Sequence, residues 1–303
     1  MLPRSRLMAW RPSKAEIGQK PTFVRMLKVA TRIELHHQPD GDATKMIGIC
    51  ALCHENGDLQ NSHLIPAWSY RRICNVDVSK PKAPIHIAGE TAVLTNRQTT
   101  KYLLCARCEE LFSKSENYVA KLTQPDNGQI EFFKHVTRLD TPRKVLALLN
   151  RIEDGNQLAY FAASVVWRGS VMTRGCGLGP YEAKFRQYLL GEAQFPAEAS
   201  ISVALLEKSP NVDARGWVSE PTCSKVGVGR LHGFLLAGLV FRCFVGKAIS
   251  LEWKNVSLTS ANSKKYVSIL KPEECADFLA AAEMAGSAKP RGKLAKTPFS
   301  SLK

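Results

Sequence analysis

The chain has 303 residues, of which 45% are hydrophobic and 23% are charged. This composition is ordinary for a globular protein, and the length allows one large domain or two smaller ones. A sizeable core is therefore expected, which excludes a small scaffold held together by cross-links alone. The nine cysteines are odd in number and include two close pairs, a pattern that argues against a secreted disulfide framework. We therefore expect a protein of a reducing compartment, the cytoplasm.

We expect no segment of this sequence to enter a membrane. The most apolar run, residues 231–245, is interrupted by His232 and Arg242. It is too short to span a bilayer and fits a buried strand pair or helix better. The basic N-terminus lacks the apolar core of a secretory signal, although a transit peptide is an alternative interpretation of its charge.

The positive charge of the chain is concentrated at its two ends. The formal net charge is +15, with +6 in residues 1–28 and +5 in residues 286–303. Basic ends suit a polyanion, because each neutralised phosphate releases counterions. They predict contact with nucleic acid, most simply DNA, and the alternative is that they are solvated ends that aid solubility.

In the first half of the chain, short predicted elements surround the two cysteine pairs. Residues 1–22 are basic and expected to be mostly irregular, and residues 23–35 could form a strand or a short helix. The predicted strands are 46–49, 59–65, 85–87 and 91–95. The predicted helices are 66–75 and 109–122, and the second carries an apolar stripe with a period near 3.6.

In the second half, runs rich in β-branched and aromatic residues alternate with turns and predict antiparallel strands. These strands are 130–136, 201–206, 226–229, 234–245, 249–253 and 266–270. Predicted helices are 142–153, 181–190 and 272–285, and residues 286–303 are predicted to be disordered. Four residues could line a surface, although such residues are more often part of a core. They are Trp167, Arg168, Tyr181 and Arg186.

Two C-x-x-C pairs predict a structural zinc site. The four thiols are Cys50, Cys53, Cys105 and Cys108. Two intervening residues let both thiolates of a pair turn toward one ion, and four thiolates complete a tetrahedral set. The alternative is four buried thiols without a metal. Because 51 residues separate the pairs, a folded insertion must lie between them.

That insertion contains the sequence Ser62-His63-Leu-Ile-Pro66, and Glu109 follows the second cysteine pair. The order of these motifs resembles the HNH endonucleases of the ββα-metal type, in a bacterial branch. The resemblance covers residues 46–122. It departs from the family at Ser62, where an acid is common, and at Glu109, where Asn is common.

The resemblance implies that His63 is a general base that activates water, because a neutral imidazole accepts a proton near pH 7. It also implies a catalytic Mg²⁺ or Mn²⁺ ion, separate from the zinc, for which Glu109 is the preferred ligand. Glu110, Glu116, Asn61 and His86 are other candidates. The competing interpretation of His63 is a histidine satisfied by hydrogen bonds at a strand end.

We therefore predict an α+β protein with a treble-clef, ββα-metal zinc domain followed by a mixed α/β domain with antiparallel strands. The predicted units are a basic segment (1–45), the HNH-like zinc domain (46–128), an α+β domain of unknown role (129–285) and a basic tail (286–303). The predicted function is metal-dependent hydrolysis of DNA. The alternative is a zinc-containing module that binds nucleic acid or a protein without cutting.

Overall fold

The computed structural model describes residues 45–74, 84–140, 145–173, 175–247, 249–259 and 261–296. Nearly all of the predicted N-terminal segment, 1–45, lies outside these ranges. The α-helices are α1 (Ala67–Cys74), α2 (Ala106–Leu122), α3 (Ile152–Met172), α4 (Glu182–Leu189), α5 (Leu251–Asn255) and α6 (Ala276–Ser287).

The strands of the described residues form four sheets. Ten of these strands are β1 (Met46–Ile49), β2 (Asn56–His63), β3 (Ile85–Ala88), β4 (Thr91–Leu94), β5 (Thr100–Cys105), β6 (Pro125–Asp126), β7 (Gln129–Ile130), β8 (Val136–Arg138), β9 (Leu146–Leu149) and β15 (Lys289–Pro290). The others are β10 (Ala199–Leu206), β11 (Thr222–Val226), β12 (Gly229–Leu236), β13 (Leu239–Val245) and β14 (Tyr266–Leu270). The sheets have the strand orders β1-β2-β5, β11-β12-β13-β10-β14-β9-β8, β15-β4-β3 and β6-β7.

The seven-stranded sheet is mixed, since β10 and β14 are parallel and its other pairs are antiparallel. Side chains alternate between its faces, as the period of two requires. Ile201, Val203 and Leu205 of β10 join the main core, on the α3 side. Ala204 and Leu206 join a second core that contains residues of α6. The fold class is therefore mixed α and β, with both antiparallel and mixed sheets.

Helix α3 connects the large sheet to the cysteine region. From Leu158 to Gly169 every residue except Tyr160 is buried. The helix packs against β10 and β13 on one side and against α2 on another, and a helix enclosed in this way must be apolar nearly all round. The buried apolar residues of the cysteine region, α2, α3 and one face of the large sheet form one contiguous cluster. Our division at residue 128 stays a prediction about separable units.

Several predicted elements are present where the sequence indicates them, and others are different. The 226–229 prediction fails because residues 227–228 form the turn between β11 and β12, and the predicted strand 234–245 is divided by a turn at residues 237–238. The 142–153 prediction fails because Leu146–Leu149 is a strand, β9, between β14 and β8. The 249–253 prediction fails because Ser250 caps a short helix by accepting a hydrogen bond from the Trp253 N–H. The 130–136 prediction fails because Glu131–His135 forms a 3-10 helix.

The last described residues do not match the predicted disordered tail. Helix α6 extends to Ser287, and β15 pairs in parallel with β4. The Lys289 N–H donates to the Glu90 carbonyl at 2.8 Å, and the Arg291 N–H donates to the Ala92 carbonyl at 2.9 Å. Leu294 is buried, which anchors this basic segment. Of the described helices, none combines the length and hydrophobicity needed to cross a bilayer.

Candidate metal centre and catalytic site

The four predicted cysteines lie together, on two local structures. Cys50 and Cys53 occupy the turn between β1 and β2. Cys105 ends β5, and Cys108 lies in the first turn of α2. The ligand atoms of these four cysteines lie within 4.8 Å of one another. They are hereafter the four-cysteine cluster.

The geometry of the cluster fits a tetrahedral metal ion such as zinc. A Zn–S bond of about 2.3 Å implies sulfur–sulfur distances of about 3.8 Å, and the sulfurs of Cys53 and Cys105 are 3.8 Å apart. The Cys105 N–H donates to the Cys50 sulfur at 3.4 Å. Burial raises the pKa of Cys50, but backbone hydrogen bonds near Cys53 and Cys105 outweigh it and lower that pKa overall. Four close thiols with such support could hold a metal ion such as zinc.

His63 is the last residue of β2 and lies opposite Thr100 of β5. Its side chain is half-buried and has no hydrogen-bond partner among the described residues. The neighbouring Ser62 is buried, and its hydroxyl donates a hydrogen bond to a carboxylate oxygen of Glu109. The two residues that depart from the HNH pattern are therefore direct partners, and they join the strand that carries His63 to the start of α2.

Arg168 is a site residue whose role sequence reasoning missed. It is buried in α3, and its guanidinium donates to the His63 carbonyl at 2.8 Å and to a Glu116 oxygen at 2.6 Å. A charged residue inside an apolar helix is itself a signal, because a buried charge needs a partner. Arg168 and Trp167 are both buried. They are therefore core residues, which was the alternative to lining a surface.

Arg186 of α4 has a comparable position beside the cysteine cluster. Its guanidinium donates to the Leu52 carbonyl at 3.2 Å, inside the turn that carries the first cysteine pair. This contact holds the turn from a helix more than a hundred residues away in sequence. The sequence left open that Arg186 lines a free surface. Its contact with the turn argues against that interpretation.

The remaining candidate ligands do not gather around His63 in the same way. Glu116 is engaged by Arg168, and Glu110 and Asn61 are exposed. His86 lies on β3, in another sheet. Within the described ranges, the four-cysteine cluster is the group of three or more His, Cys, Asp or Glu side chains that could hold a metal ion. A catalytic ion at Glu109 would therefore have few ligands from these side-chain types.

In comparisons with protein-family models, curated proteins and solved structures, the chain matches none of them.

Proposed function

We propose that this protein is a zinc-stabilised, HNH-like endonuclease that hydrolyses DNA phosphodiester bonds with a divalent metal ion. The observation that supports it best is the hydrogen bond from Ser62 to Glu109. It brings a carboxylate at the start of α2 beside the strand end that carries His63. The four-cysteine cluster supports a treble-clef arrangement, because one cysteine pair comes from a turn and the other from a strand–helix junction.

In this proposal His63 is the general base. A ring nitrogen accepts a proton from water, and the hydroxide that results attacks phosphorus. The bond from phosphorus to the leaving oxygen breaks, and that oxygen takes up a proton from solvent water. The half-buried ring has no competing hydrogen-bond partner among the described residues. Arg168 positions the residue by holding its backbone carbonyl.

Glu109 would hold the divalent ion. One of its oxygens accepts the Ser62 hydrogen bond, which orients the carboxylate and leaves the other oxygen for a cation. Mg²⁺ commonly takes one or two carboxylates and keeps several waters, so a site with few protein ligands fits its chemistry. A bound Mg²⁺ or Mn²⁺ would stabilise the charge that develops on the phosphate and the leaving oxygen.

The second candidate function is a zinc-containing module that binds nucleic acid without cutting it. The observation that favours it is again the hydrogen bond between Ser62 and Glu109. Ser62 stands where the family commonly has a metal-binding acid. If the hydrogen bond from Ser62 to Glu109 serves only to connect β2 to α2, Glu109 binds no catalytic ion. The protein would then have a nuclease-like fold but would not cut DNA.

The experiment that separates these candidates is incubation of zinc-loaded protein with supercoiled plasmid in Mg²⁺ or Mn²⁺. We expect nicking by the wild type and by His86→Ala, which removes an exposed histidine on another sheet. We expect no nicking by His63→Ala. Glu109→Gln keeps an oxygen acceptor for Ser62 but weakens cation binding, so its activity should recover in part at high Mn²⁺. Intact plasmid with the wild type in both ions, together with retained DNA binding, supports the binding module instead.

A further inference from the structure

A second group of reactive side chains lies at the β11 edge of the large sheet, away from the four-cysteine cluster. Cys223 of β11 lies directly opposite His232 of β12. The Cys223 sulfur is 4.0 Å from Nε2 of His232 and accepts from the guanidinium of Arg230 at 3.9 Å. Residues opposite each other on antiparallel strands share one face, which explains the approach of the thiol and the imidazole.

Cys176 lies close enough to Cys223 for each thiol to affect the pKa of the other. It follows α3 in the chain, and its thiol donates to the Pro221 carbonyl at 3.5 Å. Cys176 is 7% exposed, whereas Cys223 is half-buried and so remains accessible to a small reagent. Gly177 adjoins Cys176, and a Cβ added there would meet only a backbone nitrogen at 4.0 Å.

Packing alone does not explain the group formed by Cys223, His232 and Arg230. His232 is 1% exposed, and its Nδ1 has no hydrogen-bond partner among the described residues. A buried polar atom without a partner is costly, and such atoms often mark sites with a chemical role. The exposed Arg230 adds positive charge at the sulfur, on the side that opens to solvent.

The same neighbours act on the acidity of the two thiols in opposite directions. The Cys176 thiol lowers the pKa of Cys223, and His232 and Arg230 act in the same direction against the burial that raises it. Cys223 in turn raises the pKa of Cys176, and burial adds to this effect. One sulfur is therefore favoured as a thiolate nucleophile and the other as a protonated thiol.

We infer that Cys223 is a peroxide-reactive cysteine and that Cys176 is its resolving thiol. The inference rests on the approach of His232 and Arg230 to the Cys223 sulfur and on the contact of the Cys176 thiol with Pro221, two residues before Cys223. It is independent of the proposed nuclease activity.

The reaction takes two steps and consumes one hydroperoxide. The Cys223 thiolate attacks one peroxide oxygen, the O–O bond breaks, and the sulfur becomes a sulfenic acid. The second oxygen leaves with a proton, as water when the oxidant is hydrogen peroxide. The Cys176 sulfur then attacks the Cys223 sulfur, the S–O bond breaks, and the hydroxide leaves as water with the Cys176 proton. Two thiols lose two electrons in total, and the peroxide gains them.

The test treats the reduced, zinc-loaded, full-length protein with one equivalent of hydrogen peroxide. Remaining thiols are blocked with N-ethylmaleimide, and a digest without reductant is mapped by mass spectrometry. We expect a peptide pair linked through Cys176 and Cys223, with zinc content unchanged. Cys243 provides the internal control, because it is buried and should stay reduced.

Two variants keep the inference testable if the disulfide itself does not accumulate. Cys176→Ser should stop the reaction at a sulfenic acid on Cys223, which dimedone traps. Arg230→Met should slow dimedone labelling several-fold in that background, whereas Lys225→Met, an exposed change opposite Arg230, should not. The inference is overturned if Cys223 remains fully alkylated by N-ethylmaleimide, or if zinc is released while Cys176 and Cys223 are still reduced.

Discussion

Arg168 shows how one buried charge can hold a site together. Its guanidinium contacts the His63 carbonyl and Glu116, and it lies 5.3 Å from the centre of the Phe112 ring. The side chain of Arg168 is 2% exposed and that of Glu116 is 19% exposed. A buried ion pair such as Arg168–Glu116 adds little stability compared with an apolar pair of similar size. Removing one partner is costly, because the other charge is left buried without compensation.

We predict that Arg168→Met lowers the free energy of unfolding by about 3 kcal/mol, because it leaves the Glu116 carboxylate and the His63 carbonyl without their donor. Urea denaturation measures this change. Arg151→Met, at an arginine whose side chain is 69% exposed, should stay within about 0.5 kcal/mol of the wild type. Adding Glu116→Gln to Arg168→Met should recover part of the loss. Equal effects of the two arginine substitutions would contradict the role given to Arg168.

At the scale of elements, the small sheet β1-β2-β5 has little apolar burial of its own at its edge. Ile47 is 60% exposed and Ile49 is 62% exposed, both on β1. The turn that follows is held by the four-cysteine cluster and by the contact between Arg186 and Leu52. A bound metal would therefore add folding free energy to these strands that hydrophobic burial does not supply.

We predict about one zinc ion per chain in the wild type and loss of that zinc in Cys105→Ser, since a structural site needs four ligands. Hydrogen exchange should then rise in β1, β2 and β5 while β10 and β13 stay protected. Elemental analysis and exchange mass spectrometry measure the two effects. Cys243→Ala, at a buried cysteine outside the cluster, should retain its zinc. A folded wild-type protein without metal would show that the four thiols serve packing alone.

Over the whole molecule, the basic excess remains the main indication of a polyanionic partner. Lys289, Arg291, Lys293 and Lys296 are all exposed on the segment anchored by β15 and Leu294. They therefore belong to the surface of the folded protein instead of a free tail. Residues 1–28 carry a further +6.

We predict that changing the basic residues of segment 1–28 to glutamine weakens DNA binding and reduces its salt dependence. Each phosphate contact contributes about 0.9 to the slope of log K against log salt, so removing seven charges should lower the slope by up to about 6. Fluorescence anisotropy with a duplex measures this slope. Because chain length is kept, a change in slope reports charge. If the slope of this variant equals that of the wild type, the N-terminal charges do not contact DNA.

Local patterns predicted much of the secondary structure, and the exceptions have identifiable causes. The stripe of α2 has a helical period, and β10 and β13 are mostly apolar runs; neighbouring residues are enough to reveal both patterns. In contrast, Leu146–Leu149 is a strand made of residues with good helix propensity, because two flanking strands supply its hydrogen bonds. The segment at Lys289 is ordered by the β4 edge, which no nearby residue indicates.

By itself, the sequence determined the four cysteines that could hold a metal, because the C-x-x-C spacing constrains each pair within a single turn of chain. It also indicated His63 as a candidate general base, and this catalytic role remains a prediction. Only the tertiary structure decided that Ser62 bonds to Glu109, that Arg168 holds His63, and that Cys176 lies beside Cys223. These partners are between 47 and 105 residues apart. Contacts at such separations depend on how helices and sheets pack, which no local pattern encodes.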